Sequence, residues 1–517
     1  MSVLKCNNVS FSFGNRTILE NASFVMQKGE HIGLIGLNGE GKSTFIKMIT
    51  GELTPDDGKI EWAKRITTGY LDQYTSLGKG KSIKDVLREA FRHMYDLEAE
   101  MTKLYEDMAS APEDKINEMM EDAGEIQSIL DASDFYNLES RIDDVAFGLG
   151  LGSIGLDKDV SMLSGGQRSK VLLAKLILEN PMILILDEPT NFLDEDQINW
   201  LCDYLNNYEN AFLLVSHDIP FLNKVINVIY HMEDGTLTRY KGNYDDYMRM
   251  YEIERRNQEI AYNRQQKEIK AMKEFIDKNK ARVATTDLAK SRQRRLDKME
   301  MIDKVKEVIK PNFKFKECGA SGKFVFTLTD AVLGYNEPLS KPLSFVIERG
   351  KKYAIKGVNG IGKSTLLKTM LGIIKPLSGK AEMDYNIHYG YFAQEEEYAK
   401  RTALEEVWAH YPSMTNPEVR GALAACGLTK DKIESLMTVL SGGEAAKVRL
   451  CIIMQLECNT LILDEPTNHL DVYAKESLQE AIKSFKGTVV MVSHEPEFYT
   501  SIVDEIINME DYTTKII

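Results

Sequence analysis

Two nine-residue runs carry the first chemistry. Gly-Leu-Asn-Gly-Glu-Gly-Lys-Ser-Thr occupies 36–44, and Gly-Val-Asn-Gly-Ile-Gly-Lys-Ser-Thr occupies 357–365. Both fit the pattern Gly-x4-Gly-Lys-Ser/Thr, and each follows a short apolar run, at 32–35 and 353–355. The glycines Gly36, Gly39 and Gly41, and Gly357, Gly360 and Gly362, let successive N–H groups curl around the β- and γ-phosphates of a nucleotide. The helix that follows presents its positive N-terminus to the same phosphates. Lys42 and Lys363 supply the compensating charge, and the hydroxyls of Ser43 and Ser364 can ligate Mg²⁺. Asn38, Thr44, Asn359 and Thr365 complete the two candidate ATP cradles.

An acidic pair closes an apolar run in each half. Asp187 and Asp464 suit a carboxylate that reaches Mg²⁺ through water, and Glu188 and Glu465 follow them, placed to polarise an attacking water as general base. His217 and His494 end further apolar runs at 212–215 and 489–492, where an imidazole can hydrogen-bond a γ-phosphate. A lone histidine at a strand end is more often structural. Identical placement in both halves, 30 residues after the Asp, reverses that judgement. Gln73 and Gln394 join the candidate Mg²⁺ residues, and the upstream aromatics Phe13 and Tyr335 are candidates to stack on adenine, although core packing is the plainer reading of each.

Leu-Ser-Gly-Gly-Gln at 163–167 and Leu-Ser-Gly-Gly-Glu at 440–444 each open a helix. Ser164, Gly165 and Gly166, and Ser441, Gly442 and Gly443, therefore form second anion-binding helix N-termini. A cradle already holding a nucleotide cannot use the signature of its own half. The economical solution is a head-to-tail sandwich with two ATPs between the halves. One site then joins Lys42, Asp187 and Glu188 to Ser441, and the other joins Lys363, Asp464 and Glu465 to Ser164.

The elements that must position these groups are written twice. From signature Ser to acidic Asp is 23 residues in both halves. The chain is a tandem duplication, expected as an α/β domain at 1–243, a linker at 244–315 and a second α/β domain at 316–517. One interval differs: Gln73 to Ser164 spans 91 residues and Gln394 to Ser441 only 47. The excess falls near 88–140. Within it, residues 96–134 hold 13 acidic and 2 basic side chains, and Leu97, Met101, Leu104 and Met108 recur at helical spacing. A small acidic helical hairpin is expected there.

The linker contains no Gly or Pro from 244 to 310 and is dominated by helix formers. Ile269, Met272, Phe275 and Ile276 form one narrow apolar stripe; Leu296, Met299, Ile302 and Val305 form another. Two long helices folded on each other fit this pattern, with the break near 279–287, a cap at Thr285, Thr286 or Asp287, and the second helix ending at Pro311. Residues 278–298 carry eight basic side chains: Lys278, Lys280, Arg282, Lys290, Arg292, Arg294, Arg295 and Lys298. A charge run on a helix is usually a solvated face. At the tip of a long hairpin, where folding needs no charge, the run suits phosphate contacts on structured RNA.

Composition bounds these readings. The chain has 517 residues, 43% hydrophobic and 28% charged, which excludes disorder throughout, collagen-like repeats and a disulfide scaffold. A net charge of −15 argues against a protein coated with nucleic acid. Residues 251–310 nevertheless carry 17 basic against 11 acidic side chains, so the average conceals one basic segment. The six cysteines are scattered, with no pattern of a metal site or disulfide framework. No apolar run approaches membrane-spanning length, and the N-terminus lacks a signal-peptide apolar region. A cytoplasmic chain is expected.

The order of phosphate loop, Gln, Leu-Ser-Gly-Gly-Gln, acidic pair and His resembles the ATP-binding cassette superfamily of P-loop NTPases, over nearly all of both halves. Two cassettes on one chain, an insert in the first and a charged helical linker look like the ABC-F class of translation factors. Their Asp-Glu-Pro-Thr-Asn-His-Leu-Asp signature stands complete at 464–471, whereas the first half has Phe192 in place of the histidine. The resemblance implies an ATPase using ATP and Mg²⁺, an arm approaching the L1 stalk and 23S rRNA of the 70S ribosome, and a linker reaching P-site tRNA. It also implies an ATP-closed sandwich bound in the E site and released by hydrolysis, in a monomer. The moderate linker leans toward a housekeeping factor over a ribosome-protecting antibiotic-resistance factor. From other classes, an ABC transporter ATPase subunit and a chromosome or repair ATPase compete. The basic tip disfavours the first, and the short linker between two cassettes disfavours the second.

Overall fold

A computed structural model describes residues 2–14, 16–64, 66–71, 80–108, 112–132, 135–279, 286–304, 310–394 and 400–514. Gln73, Lys280 and Arg282 lie outside the described residues, as do Thr285 and Val305.

Uncharged runs of Ile, Leu and Val build the centre of each half. Ile183–Asp187, Ala211–Val215 and His31–Ile35 bury nearly every side chain, as parallel strands covered on both faces do. Among the described residues they belong to a six-stranded sheet ordered Thr68–Tyr70, Ile183–Asp187, Ala211–Val215, His31–Ile35, Val228–Glu233, Thr236–Lys241. The second half repeats the plan with five parallel strands: Tyr389–Phe392, Thr460–Asp464, Thr488–Val492, Lys352–Lys356 and Glu505–Asn508. In both sheets the strand leading to the His stands between the strands leading to the cradle and to the acidic pair. Parallel pairing brings all three carboxyl ends to one edge, where ligands of such sheets bind. Asp187 is paired with Val215 and Asp464 with Val492. A three-stranded antiparallel sheet accompanies each half: Arg16–Gln27, Ser2–Phe13 and Asp57–Trp62 in the first, Leu343–Glu348, Phe324–Val332 and Ser378–Met383 in the second.

The cradle helices Lys42–Ile49 and Lys363–Met370 start after Gly41 at φ 110° and Gly362 at φ 108°. That left-handed backbone is open to glycine and strained for other residues. The signature helices Gly165–Glu179 and Gly442–Gln455 open on capping boxes, Ser164 with Gln167 and Ser441 with Glu444.

The insert is a helical hairpin, Arg92–Met108 and Glu113–Ala132, around its own small core of Met101, Ala123, Ile126 and Leu130. Glu139, on the helix Leu138–Gly148, ties its base: Arg88 donates to it at 2.7 and 2.9 Å and Tyr95 at 2.9 Å.

Residues 240–309 cluster as a separate compact unit. Its helix Tyr244–Asn279 is slightly longer than expected, while its second helix, Thr286–Asp297, is much shorter. The expected second helix to Pro311 is therefore corrected. Gln265 holds the returning chain instead, donating to the Glu300 carbonyl at 2.7 Å and accepting from Ile302 N at 2.8 Å. By their contacts residues 310–315 belong to the other unit, with Phe313 and Phe315 buried in the core of the second half. No helix among the described residues is long and apolar enough to cross a membrane. All six cysteines are free.

Candidate active site

Residues 1–239 and 310–517 form one compact unit, in which each cradle faces the opposite half. Asn38 Nδ2 donates to the main-chain oxygen of His469 at 2.9 Å, and Asn38 Oδ1 lies 3.0 Å from His217 Nε2. Asn359 donates from its main chain to Asp194 at 3.4 Å and from Nδ2 to the Phe192 carbonyl at 3.3 Å. Asn191 Nδ2 and His469 Nδ1 are 3.2 Å apart. The loop behind each acidic pair thus reaches the cradle of the other half, a head-to-tail arrangement.

Within the first cradle Lys42 is buried and donates to the carbonyls of Gly36 at 2.8 Å and Leu37 at 3.1 Å. Lys363 does the same to Gly357 at 2.7 Å and Val358 at 3.1 Å. Burial lowers both ammonium groups, Lys363 to about 8, against the opposing pull of the nearby carboxylates. Ser43 donates to Asp187 at 3.1 Å. Burial pushes Asp187 up and Asp464 to about 6, although Ser43 and Ser364 hydrogen-bond them.

The two Glu residues share one backbone geometry and differ in surroundings. Glu188 at φ 50° and Glu465 at φ 51° are both left-handed, a strained conformation for a non-glycine residue and common at catalytic positions. Glu188 is pushed up to about 8 by burial and by the adjoining Asp187 charge. Its Oε2 accepts from His217 N at 3.3 Å, and its Oε1 is 3.6 Å from His217 Nε2. At Glu465, burial is outweighed by His494, 3.4 Å away, by Lys363 and by Asn468, which donates at 2.6 Å. Its carboxyl lies below the usual range. Burial, reinforced by the positive charges of Lys42 and Lys475, holds His217 neutral far below its ordinary value.

Gln394, expected beside Mg²⁺ with Ser364 and Asp464, donates through Nε2 to Glu465 at 2.9 Å, which leaves its amide oxygen to accept or ligate. The two signatures also differ. A Cβ on Gly443 would lie 2.2 Å from Asn38 Nδ2, so the second signature lies against the first cradle. Gly165 has open space on that side and Gly166 meets only Phe192 of its own half at 3.6 Å. Ser164 and Ser441 cap their own helices, and Gly442 lies against the His469 side chain. Thr365 is buried and accepts from Thr369 through its carbonyl, while Thr44 is half-buried. Gly39 and Gly360 have left-handed backbones at φ 85° and 77°. Phe13 and Tyr335 are 55% and 59% exposed, which makes them available to a stacked base and corrects the core-packing alternative.

The cross-interface residues Asn191, Asp194, Phe192 and His469 were not singled out as site residues from the sequence. The signal was present in the repeated Pro-Thr-Asn-x-Leu-Asp after each Glu at 189–194 and 466–471, although Asp194 and Asp471 also cap the helices of their own halves.

The ABC_tran family, described as ABC transporter, matches residues 19–191 and 340–468, and ABC_tran_Xtn, with the same description, matches 230–315. The chain is 54% identical to "Uncharacterized ABC transporter ATP-binding protein YfmM" of Bacillus subtilis, over all of both chains. It is 34% identical to "ABC transporter F family member 2" of Arabidopsis thaliana, covering 99% of this chain and 77% of the relative. The chain belongs to the ABC-F family of ATP-binding cassette proteins. Among solved structures, archaeal ribosome recycling factor aABCE1 in complex with stalk protein aP1 superposes with a TM-score of 0.58 at 19% identity, covering 97% of this chain and 87% of that one. At that identity the likeness shows a shared tandem-cassette fold.

As an ABC-F protein the chain binds ATP and is an ATPase. Its residues also fit Mg²⁺. Asp464 Oδ1 and Glu188 Oε1 are buried without a hydrogen-bond partner, an arrangement that a cation and an ordered water would satisfy. No group of three or more His, Cys, Asp or Glu among the described residues could hold a metal alone. Mg²⁺ in phosphate sites commonly takes one or two protein ligands plus phosphate oxygens, as Ser43 with Asp187 and Ser364 with Asp464 would provide.

Proposed function

We propose that this ABC-F ATPase acts in the cytoplasm on the ribosome. It enters the E site of the 70S particle with ATP bound, contacts P-site tRNA through its linker, modulates translation or rescues stalled ribosomes, and leaves on hydrolysis. One observation carries the reading. The described part of the 278–298 tip presents six exposed basic side chains, of which Lys278, Arg294 and Lys298 have no side-chain partner among the described residues. Exposed cations without internal partners suit an RNA phosphate backbone. Arg292 and Arg295 are partly engaged, Arg292 stacked 3.7 Å over the Phe275 ring and Arg295 paired with Glu268 at 2.9 Å, while Lys290 lies 3.8 Å from Asp287. Arg292 and Arg295 thereby tie the second helix to the first, whereas the Lys290 contact stays within its own helix, so the expectation that folding needs no charge there is corrected for those two arginines. The family of relatives that includes a named F-family member, and the shared fold with a ribosome recycling factor, support the same partner.

In the catalytic cycle, Lys42 and Lys363 hold phosphate charge, and Ser441 and Ser164 supply the opposing helix N-termini. Ser43 with Asp187, and Ser364 with Asp464, would hold Mg²⁺, whose bound charge would neutralise the β- and γ-phosphates. Glu188 and Glu465 orient and deprotonate the attacking water, and His217 and His494 fix those carboxylates at the γ-phosphate. Because each cradle meets the other cassette, ATP joins the cassettes and hydrolysis frees them.

The test uses Glu188→Gln with Glu465→Gln. These variants should bind ATP, hydrolyse it slowly and sediment with ribosomes from a lysate. Sedimentation with membranes and none with ribosomes would refute the ribosomal reading while leaving the ATPase assignment standing.

A further inference from the structure

The cassette interface holds a partly open cavity of about 40 Å³, room for one or a few water molecules. Its walls come in pairs related by the duplication, among them His217 with His494 and Asp218 with Glu495. Two positions break the symmetry, and one of them is His469, matched by Phe192. At the interval that separates Asp187 from Asp464, Ile198 of the first cassette is matched by Lys475 of the second.

Lys475 lies on the helix Val472–Ser484. Its ammonium donates to both oxygens of Glu495, at 2.8 and 2.9 Å, and stands 3.5 Å from the main-chain oxygen of His217 in the first cassette. The side chain is only 16% exposed, so its charge is weakly screened. Asp218 and Glu495 face it from the two cassettes, and its field reaches Glu188 and His217. The peptide on the other side of His217 is already held, since His217 N donates to Glu188. A cation on the following carbonyl therefore pins the residue at both ends. Ile198, on the helix Glu195–Asn206, has no charge with which to do the same for His494.

We propose that Lys475 is a positioning residue that acts across the interface, holding the His217 carbonyl and thereby the imidazole and Glu188 of the first catalytic site, with no counterpart at the second. Lys475 then adds to the inequality of the two ATP sites: the first completes its geometry only with the second cassette in place, while the second does not draw on the first in this way.

The inference rests on the catalytic assignments above, and the test separates the two. Steady-state phosphate release would be measured for Lys475→Met and Lys475→Arg in two backgrounds. Glu465→Gln leaves the first site to turn over, and Glu188→Gln leaves the second. Lys475→Met should lower kcat about tenfold or more in the Glu465→Gln background with KM within about twofold, and Lys475→Arg should restore most of it. The Glu188→Gln background should respond less than twofold. Equal losses in both backgrounds would mean general support of the fold, and a loss confined to the Glu188→Gln background would mean action on His494 through Glu495. Either overturns the proposal, as does no loss at all. If each single Gln variant is already inactive, the sites are obligatorily coupled and the assignment to one site falls. If both Gln variants hydrolyse like the parent, the catalytic assignment itself has failed.

Discussion

Gly443 and Gly166 occupy the same place in the two signatures, yet the structure gives their α-hydrogens very different neighbours. A methyl group at 443 would lie 2.2 Å from Asn38 Nδ2 and 2.3 Å from the His469 carbonyl, whereas ordinary contact begins at 3.4 Å. Both are about 1 Å too close, and the carbonyl is backbone, so the signature and the first cradle must part by about that much. Asn38 donates to that same carbonyl at 2.9 Å, so a displacement of this size breaks the cross-cassette hydrogen bond. Loss of the bond costs about 1 kcal/mol and local overpacking at least about 1 more. The closed first site is thus disfavoured by about 2 kcal/mol, roughly 30-fold in kcat/KM at about 1.4 kcal/mol per decade. At 166 the methyl meets only Phe192 Cβ at 3.6 Å, an ordinary contact, and kcat/KM should stay within about twofold. Alanine is the better helix former by up to about 1 kcal/mol at either position, so that gain cancels in the comparison. The assay is phosphate release over a range of ATP, with thermal unfolding of each variant to confirm intact cassettes. Two variants within twofold of each other would refute the reasoning, because the asymmetry of the signatures would then have no energetic content.

Phe13→Ala and Tyr335→Ala should each raise KM for ATP about fivefold or more, with little change in kcat or melting temperature. The exposed rings can stack on a base at ~1–3 kcal/mol and do little for folding; an unchanged KM in both would remove adenine stacking. At the base of the insert, hydrogen bonds from Arg88, helped by Lys84 and Tyr95, hold Glu139 down at about 2. A pKa lowered by folding stabilises above the unfolded value near ~4.3 and is lost as pH falls toward 2. The carboxylate is 42% exposed, so its contribution is discounted to about 1 kcal/mol. Glu139→Gln should therefore unfold at lower urea than the parent at neutral pH and match it near pH 2; a pH-independent difference would place the effect elsewhere. In the linker, glutamate at Lys278, Arg294 and Lys298 should weaken ribosome binding and flatten its salt dependence by about 0.7 per lost phosphate contact in the log–log slope. Parent-like salt dependence would dismiss the tip as an RNA contact.

Much of the architecture was legible because it is repeated. Two phosphate loops, two acidic pairs and two histidines at equal intervals needed no tertiary information, since local spacing on strand–loop–helix units decides where each group emerges. The acidic hairpin was legible from its helical periodicity. The second linker helix was misread: composition favoured helix to Pro311, but the chain after Asp297 exchanges hydrogen bonds with Gln265, a long-range choice that propensity does not contain.

The sequence by itself determined the chemistry, because phosphate binding, metal ligation and base catalysis depend on residue types at fixed local spacing. Only the tertiary structure decided which groups act together. It set Asn38 against His469 and Gly443, joined Gln394 to Glu465, and carried Lys475 to a histidine of the other cassette. Those pairings join residues up to hundreds of positions apart, and the near-symmetry of the repeats hides them. Two copies that read alike along the chain become unequal once each is buried against the other, because burial and charge depend on what the partner half presents.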